Sequence, residues 1–176
     1  SQINPHFLFN TLNAISMQVA GGEDGQSRAI AMIGWLSELL RYSLAKTDSV
    51  PLSMEILQTR NYLNLLLARY DQEFTVELSV APGLDGCLVP RLLLQPLIEN
   101  AIIHGIFEKP SKCGRLAVAV RREPDGIRIT IEDDGVGMDE ATLLSNFSPA
   151  APGQITATPG GYGVRNIQDR LRLAYG

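Results

Sequence analysis

Residues 126–137 read Gly126-Ile127-Arg128-Ile129-Thr130-Ile131-Glu132-Asp133-Asp134-Gly135-Val136-Gly137, and their pattern decides the fold. Ile127, Ile129 and Ile131 alternate with polar neighbours, the period of a half-buried strand over Gly126–Asp133. Asp133 continues the parity of the isoleucines, so the strand is expected to aim a carboxylate at an apolar interior, where an unpaired charge is costly. A flat heteroaromatic ring with an exocyclic amine, adenine, is the kind of partner that satisfies such a group from inside a fold. Taken alone, the pattern better fits a strand that twists out one residue early, with Asp133 capping the turn. Gly135 and Gly137 follow at once and let backbone approach a ligand closely.

Working back from this strand, Arg115–Arg122 reads as its hairpin partner across the turn Glu123-Pro124-Asp125-Gly126. Phe74–Val80 alternates in the same way. Ala81–Pro90 is a turn-rich connection, and Arg91–Ile106 reads as a strongly apolar helix interrupted by Gln95, Pro96, Glu99, Asn100 and His104. Asn100 and His104 stand four apart, on one helix face, and an amide oxygen there suits Mg²⁺, a hard ion that borrows substrate phosphates and waters. A satisfied buried amide and a helix-end histidine are the plainer alternatives.

Downstream, Met138–Gly161 is rich in Ser, Pro, Ala, Thr and Gly and predicts a long mobile loop, the usual form of a lid, with one short helix at 140–145. Gly160-Gly161-Tyr162-Gly163 opens a last helix over Tyr162–Leu173, where backbone N–H groups and the positive helix end suit phosphates.

The first third of the chain reads as two helices broken at Gly21-Gly22, with stripes Ile3, Phe7, Leu8, Leu12, Ile15, Val19 and Ile30, Ile33, Leu36, Leu40, Leu44. One hairpin cannot cover both stripes, so a homodimer making four helices is expected. His6, Asn10 and Asn13 form a polar stripe beside the apolar one; composition alone favours Asn4 as N-cap, Pro5 as first helical residue and His6 as incidental in the first turn. Pro51 marks a boundary, with Ser53 as N-cap of a helix whose stripe is Ile56, Leu63, Leu67 and Tyr70. This element order predicts an α+β fold: a helical hairpin, then a mainly antiparallel or mixed sheet with helices on one face.

Composition agrees. With 176 residues, 45% of them hydrophobic, the chain can bury roughly 70% of its unfolded surface and needs no staples. A formal charge of −4 excludes a bulk nucleic-acid binder. Cys87 and Cys113 lack CxxC spacing and are expected to be small buried hydrophobes. No run approaches the ~18 apolar residues of a membrane span, and no signal-peptide pattern is present. Because the chain opens at Ser1 without Met, it is expected to be part of a longer protein.

Together these stretches resemble the cytoplasmic kinase core of bacterial sensor histidine kinases of the LytS/YehU type, over nearly the whole chain. Gln2-Ile3-Asn4-Pro5-His6-Phe7-Leu8-Phe9-Asn10-Thr11-Leu12-Asn13 looks like the phosphoacceptor box. Leu36–Tyr42 and Asn61–Arg69 are similar to its helical signatures, and Leu94–Gly105 resembles the N box. Asp133–Gly137 and Gly161-Tyr162-Gly163-Val164-Arg165-Asn166 resemble the two glycine boxes, with Val164 where leucine is commoner.

The resemblance implies a dimerisation and phosphotransfer hairpin over residues 1–50. It implies a Bergerat-type ATP-binding domain, of the GHKL fold shared with gyrase, Hsp90 and MutL, over residues 51–176. The family's closing β-hairpin would lie beyond Gly176. His6 is then the phosphoacceptor, Asn100 the Mg²⁺ ligand and His104 a phosphate neighbour. Asp133 reads adenine, Gly135 and Gly137 floor its side of the pocket, Gly161 and Gly163 hinge the lid, and Asn166 joins the nucleotide-binding set.

The implied activity is autophosphorylation of His6 from Mg-ATP, followed by transfer to an aspartate of a response regulator receiver domain. The implied setting is the cytoplasmic part of a membrane sensor. Phe7 stands where many other histidine kinases carry an acid, so the general base is not evident; Glu99 and Asn10 are the candidates. ATP-hydrolysing GHKL proteins place a water-activating glutamate four residues before the asparagine, where this chain has Pro96. A GHKL ATPase, or a degenerate kinase that binds nucleotide and dimerises, is the alternative.

Overall fold

The computed structural model describes residues 5–70 and 74–137. Helices α1 (Pro5–Val19), α2 (Gly22–Leu44), α3 (Leu52–Arg69) and α4 (Leu94–Glu99), the last running into a π-helical segment Asn100–Ile106, alternate with strands β1 (Ser49–Pro51), β2 (Phe74–Val80), β3 (Leu88–Pro90), β4 (Gly114–Glu123) and β5 (Gly126–Asp133). The fold is α+β with a mixed sheet. The chain packs as two compact units, Ser1–Glu73 with Gly83–Gln95, and Phe74–Pro82 with the residues from Pro96 onward.

In the first unit, α1 and α2 form the expected hairpin, turning through Ala20-Gly21 with Gly21 N–H bonded to the Gln18 carbonyl at 2.9 Å. The two helices approach so closely that a Cβ on Gly25 would lie 2.1 Å from the Gln18 carbonyl oxygen. This contact sets which face of α2 is buried: Gly25, Ala29, Met32, Leu36, Leu39 and Tyr42. Of the second apolar stripe Leu36 is buried, while Ile30, Ile33 and Leu44 are exposed.

Helix α3 packs against α2 and is buried on several sides, with Phe7 of α1 tilted onto Tyr62 at 5.3 Å between ring centroids. It begins at Leu52 with Pro51 preceding it, so Ser53 lies inside the helix and is not its cap. Two short strands missing from the sequence reading, β1 and β3, pair antiparallel with Val50 opposite Val89.

In the second unit, β2 pairs parallel with β4, and β4 antiparallel with β5, in the order β2-β4-β5. β5 has the bounds that its alternation predicts, and the β4–β5 turn is the two-residue Pro124-Asp125. The register lines up Val76, Leu78 and Val80 with Leu116, Val118 and Val120, and the last two with Ile131 and Ile129, on one apolar face, with Phe74 opposite Gly114. The Asn100–Ile106 segment packs on that face through buried Ala101, Ile102 and Ile106. The opposite face carries polar residues such as Glu77 and Arg115, joined by an ion pair at 2.7 Å.

Two further expectations are corrected. The helix does not begin at Arg91: Arg91-Leu92-Leu93 is a turn, with Leu92 in the left-handed region at φ 57°. Cys113 is exposed and Cys87 half-buried, so neither is a core residue. The expected loop 138–161, its short helix and the last helix lie outside the described residues.

Candidate functional site

Asp133 pairs with Leu116, whose side chain is fully buried, so its side chain stands on the sheet's apolar face as the alternation predicts. The expected burial is not found. The residue is exposed, and among the described residues two glycines, Gly105 and Gly135, stand against its carboxylate. A Cβ on Gly105 would sit 2.6 Å from Asp133 Oδ1, and one on Gly135 would sit 2.3 Å from the Gly105 carbonyl carbon. Gly135 N–H donates to Asp133 Oδ1 at 2.9 Å, and Val136 N–H donates to the Gly105 carbonyl at 3.1 Å. Gly137 takes φ 72°, a conformation that side chains resist. These contacts make a backbone-walled cradle with a charged acceptor at its edge.

The neighbouring acid is used differently. Asp134 Oδ1 accepts from Arg115 N–H at 2.9 Å and from Lys109 Nζ at 3.3 Å, while Asp134 N–H donates to the Arg115 carbonyl. The Arg115 amide, then Lys109, hold the Asp134 carboxyl below the usual range. A Cβ on Gly114 would meet Asp134 Oδ1 at 2.5 Å. Asp134 thus closes the strand end, and Asp133 keeps an oxygen free of hydrogen bonds among the described residues.

The other wall is the segment that follows α4. Pro96 is tolerated because the first N–H groups of a helix have no intrahelical partner. From Asn100 the helix widens: Phe107 N–H bonds to the Ile102 carbonyl, five residues back, at 2.8 Å. Single π turns recur at functional sites. His104 acts electrostatically on Glu99, five residues before it. Burial raises the Glu99 carboxyl above its ordinary range, and His104 partly opposes this. Asn100 is half-buried and His104 exposed.

The donors fit a nucleotide: an acceptor for an amine, backbone walls for a flat ring, and an amide oxygen for a hard cation that draws its other ligands from phosphate and water. No group of three or more His, Cys, Asp or Glu that could hold a metal by itself occurs among the described residues.

On α1, in the first unit, His6 is exposed, and the Asn10 amide nitrogen lies 3.1 Å from each of its ring nitrogens, ready to donate to whichever carries the lone pair. Thr11, one residue on, is buried and donates to the Phe7 carbonyl at 2.8 Å, fixing this turn. Gly161, Gly163 and Asn166 lie outside the described residues.

The sequence reading missed Gly105 as a contact, although it stands in a quoted motif, and missed Gly114 and Lys109. It also missed Glu55 of α3, whose buried carboxylate accepts from Tyr42 Oη, from Leu92 N–H at 3.0 Å and from Leu94 N–H at 2.9 Å.

Two family models match the chain. Residues 1–74 match the family model described as histidine kinase. Residues 89–173 match the one described as histidine kinase-, DNA gyrase B-, and HSP90-like ATPase. The whole chain aligns with sensor histidine kinase YpdA of Escherichia coli K12 at 34% identity, covering 30% of that protein. It aligns with sensor histidine kinase YesM of Bacillus subtilis 168 at 32%, covering 28%. Sensor protein LytS of Staphylococcus haemolyticus is 30% identical, with 29% covered. The chain therefore spans less than a third of the length of these relatives. No helix among the described residues is long and apolar enough to cross a membrane.

Proposed function

Because the chain belongs to the sensor histidine kinase family, we propose that it is a catalytic core that phosphorylates His6 from Mg-ATP and passes the phosphoryl group to an aspartate of a response regulator receiver domain. The observation that carries this reading is the Asp133 carboxylate, exposed on the core-facing register of β5 beside Gly105 and Gly135.

In this reading Asp133 accepts from the exocyclic amine of adenine, while Gly105, Gly135 and Gly137 let the ring lie against backbone. Asn100 holds Mg²⁺, which neutralises charge on the phosphate oxygens. His104 stands near the phosphates, and Gly161, Gly163 and Asn166 belong to the same nucleotide site. A ring nitrogen of His6 bonds to the γ-phosphorus, the bond to the bridging oxygen breaks, and its electron pair leaves with ADP. The imidazole N–H proton passes to a base. The raised Glu99 carboxyl suits that role, since a base works best when its proton affinity nears the working pH. Asn10, an amide donor, suits orienting the His6 ring.

Exposed Phe9, Leu12, Met17 and Val19 on α1, with Ile30 and Ile33 on α2, support a homodimer that completes a four-helix core. The parent protein is a sensor with this part on the cytoplasmic side of a membrane.

The test is incorporation of ³²P from γ-labelled ATP. Acid-labile, alkali-stable label that disappears in His6→Gln and persists, more slowly formed, in Asn10→Ala supports the reading. Steady phosphate release without protein labelling overturns it in favour of an ATPase.

A further inference from the structure

Asp133 and Asp134 are adjacent acids, and the reaction above uses only the first. Asp134 grips the backbone of one residue of β4 twice: its N–H donates to the Arg115 carbonyl at 3.2 Å, and its Oδ1 accepts from the Arg115 N–H at 2.9 Å. The same oxygen faces Lys109 Nζ at 3.3 Å. Lys109 stands in the turn that leaves the π-helical segment, where its N–H donates to the Ile106 carbonyl at 3.1 Å. Glycine at position 114 makes room for the carboxylate, since a Cβ there would lie 2.5 Å from Asp134 Oδ1 and 2.8 Å from Ile106 Cγ2. The Arg115 amide does more than Lys109 to hold the Asp134 carboxyl below its usual range, and the ion pair is partly exposed, so the grip on the backbone is the stronger part.

Beyond Asp134 the chain turns onto the other wall of the cradle. Gly135 N–H goes back to Asp133 Oδ1, and Val136 N–H reaches the Gly105 carbonyl. The turn that bears Asp133 is thus attached to β4 through Asp134 and to the π-helical segment through Val136. A Cβ on Gly105 would sit only 2.6 Å from Asp133 Oδ1, so the space between them tolerates little displacement, and a hydrogen bond to a ligand weakens steeply with misalignment. We propose that Asp134 is a positioning residue for the reading of the base: its grip on the Arg115 backbone fixes the turn Asp133–Val136, and with it the Asp133 carboxylate opposite Gly105. The proposal deepens the kinase reading and rests on it for adenine as the ligand.

The test is calorimetry of ATP against purine riboside triphosphate, which lacks the exocyclic amine, on the whole chain. A fall in the folded fraction weakens both nucleotides alike and leaves their ratio untouched, so the ratio reads base recognition alone. Asp134→Ala removes the Oδ1 acceptor and is expected to cut a wild-type preference for ATP of about tenfold to about twofold. Asp134→Asn keeps an oxygen for the Arg115 amide and holds the preference within about twofold of the wild type, as does Lys109→Met, which loses only the partly exposed ion pair. Gly114→Ala, which displaces the carboxylate from β4, acts like Asp134→Ala, and the double variant loses no more than either alone. Amide hydrogen exchange at Val136 speeds about threefold or more in Asp134→Ala.

Unchanged exchange at Val136 in Asp134→Ala overturns the proposal. A loss of preference in Asp134→Asn as large as that in Asp133→Asn makes Asp134 itself a reader of the base and equally overturns it. A wild-type chain that binds the two nucleotides alike breaks the adenine reading and the proposal with it, whereas a wild-type preference that survives in Asp134→Ala breaks the proposal alone.

Discussion

Among the described residues, Glu55 on α3 is buried and accepts three hydrogen bonds, from Tyr42, Leu92 and Leu94, whereas Asp133 at the end of β5 is exposed and accepts one, from Gly135. Both acids lie on the inward-facing sides of their elements, and the difference lies in what surrounds them. A buried carboxylate survives only when its lone pairs are taken, so Glu55 is committed to holding the fold. Asp133 is faced by glycines and retains acceptor capacity at a place where the sheet's apolar side meets solvent. The contrast separates a carboxylate spent on structure from one kept for a ligand, although both are ordinary acids in the sequence.

The largest expected effect tests the structural half. Glu55→Ala leaves two backbone N–H groups and a hydroxyl without their acceptor, and is expected to cost about 3 kcal/mol or more in chemical denaturation. A loss within about 0.5 kcal/mol, the range of plain surface substitutions, would erase the contrast.

Next, Gly135→Ala places a methyl group against the Gly105 backbone and is expected to cost about 1–3 kcal/mol, with ATP binding lost by calorimetry. Asp133→Asn sharpens the ligand half: ATP affinity falls at least about tenfold, while stability stays within about 0.5 kcal/mol.

The smallest effect concerns pH. Burial raises the folded-state pKa of Glu99, so its contribution to stability is fully present below the unfolded value and is lost as pH rises through the folded one. Glu99→Gln is therefore expected to raise Tm slightly at pH 8, by a change worth less than about 1 kcal/mol that fades on acidification, and to slow His6 labelling. A Tm gain that grows on acidification would reverse the sign and refute the burial argument.

Much of this was legible in the sequence where local pattern and packing agree. β5 has the bounds that its isoleucine alternation predicts, because its side chains have one apolar face to choose. The same alternation placed Asp133 on the core side yet mispredicted its burial, since the glycines that leave it open come from Gly105 and Gly135, and Gly105 lies far away along the chain. The buried face of α2 escaped because it includes Gly25 and Ala29, which carry little weight in a count of large apolar residues. Glu55 was invisible for a related reason: its backbone partners lie 37 and 39 residues away, and no spacing rule connects them. The π turn at Asn100 escaped because its residues fit an α-helix equally well.

The sharpest measurement compares ATP with purine riboside triphosphate, which lacks the exocyclic amine, by calorimetry on the wild type and on Asp133→Asn. The wild type should prefer ATP by about tenfold or more, and the variant should lose that preference while binding the amine-free analogue as the wild type does. An equal preference for ATP in both proteins would show that another group reads the base, and the role given to Asp133 would be wrong.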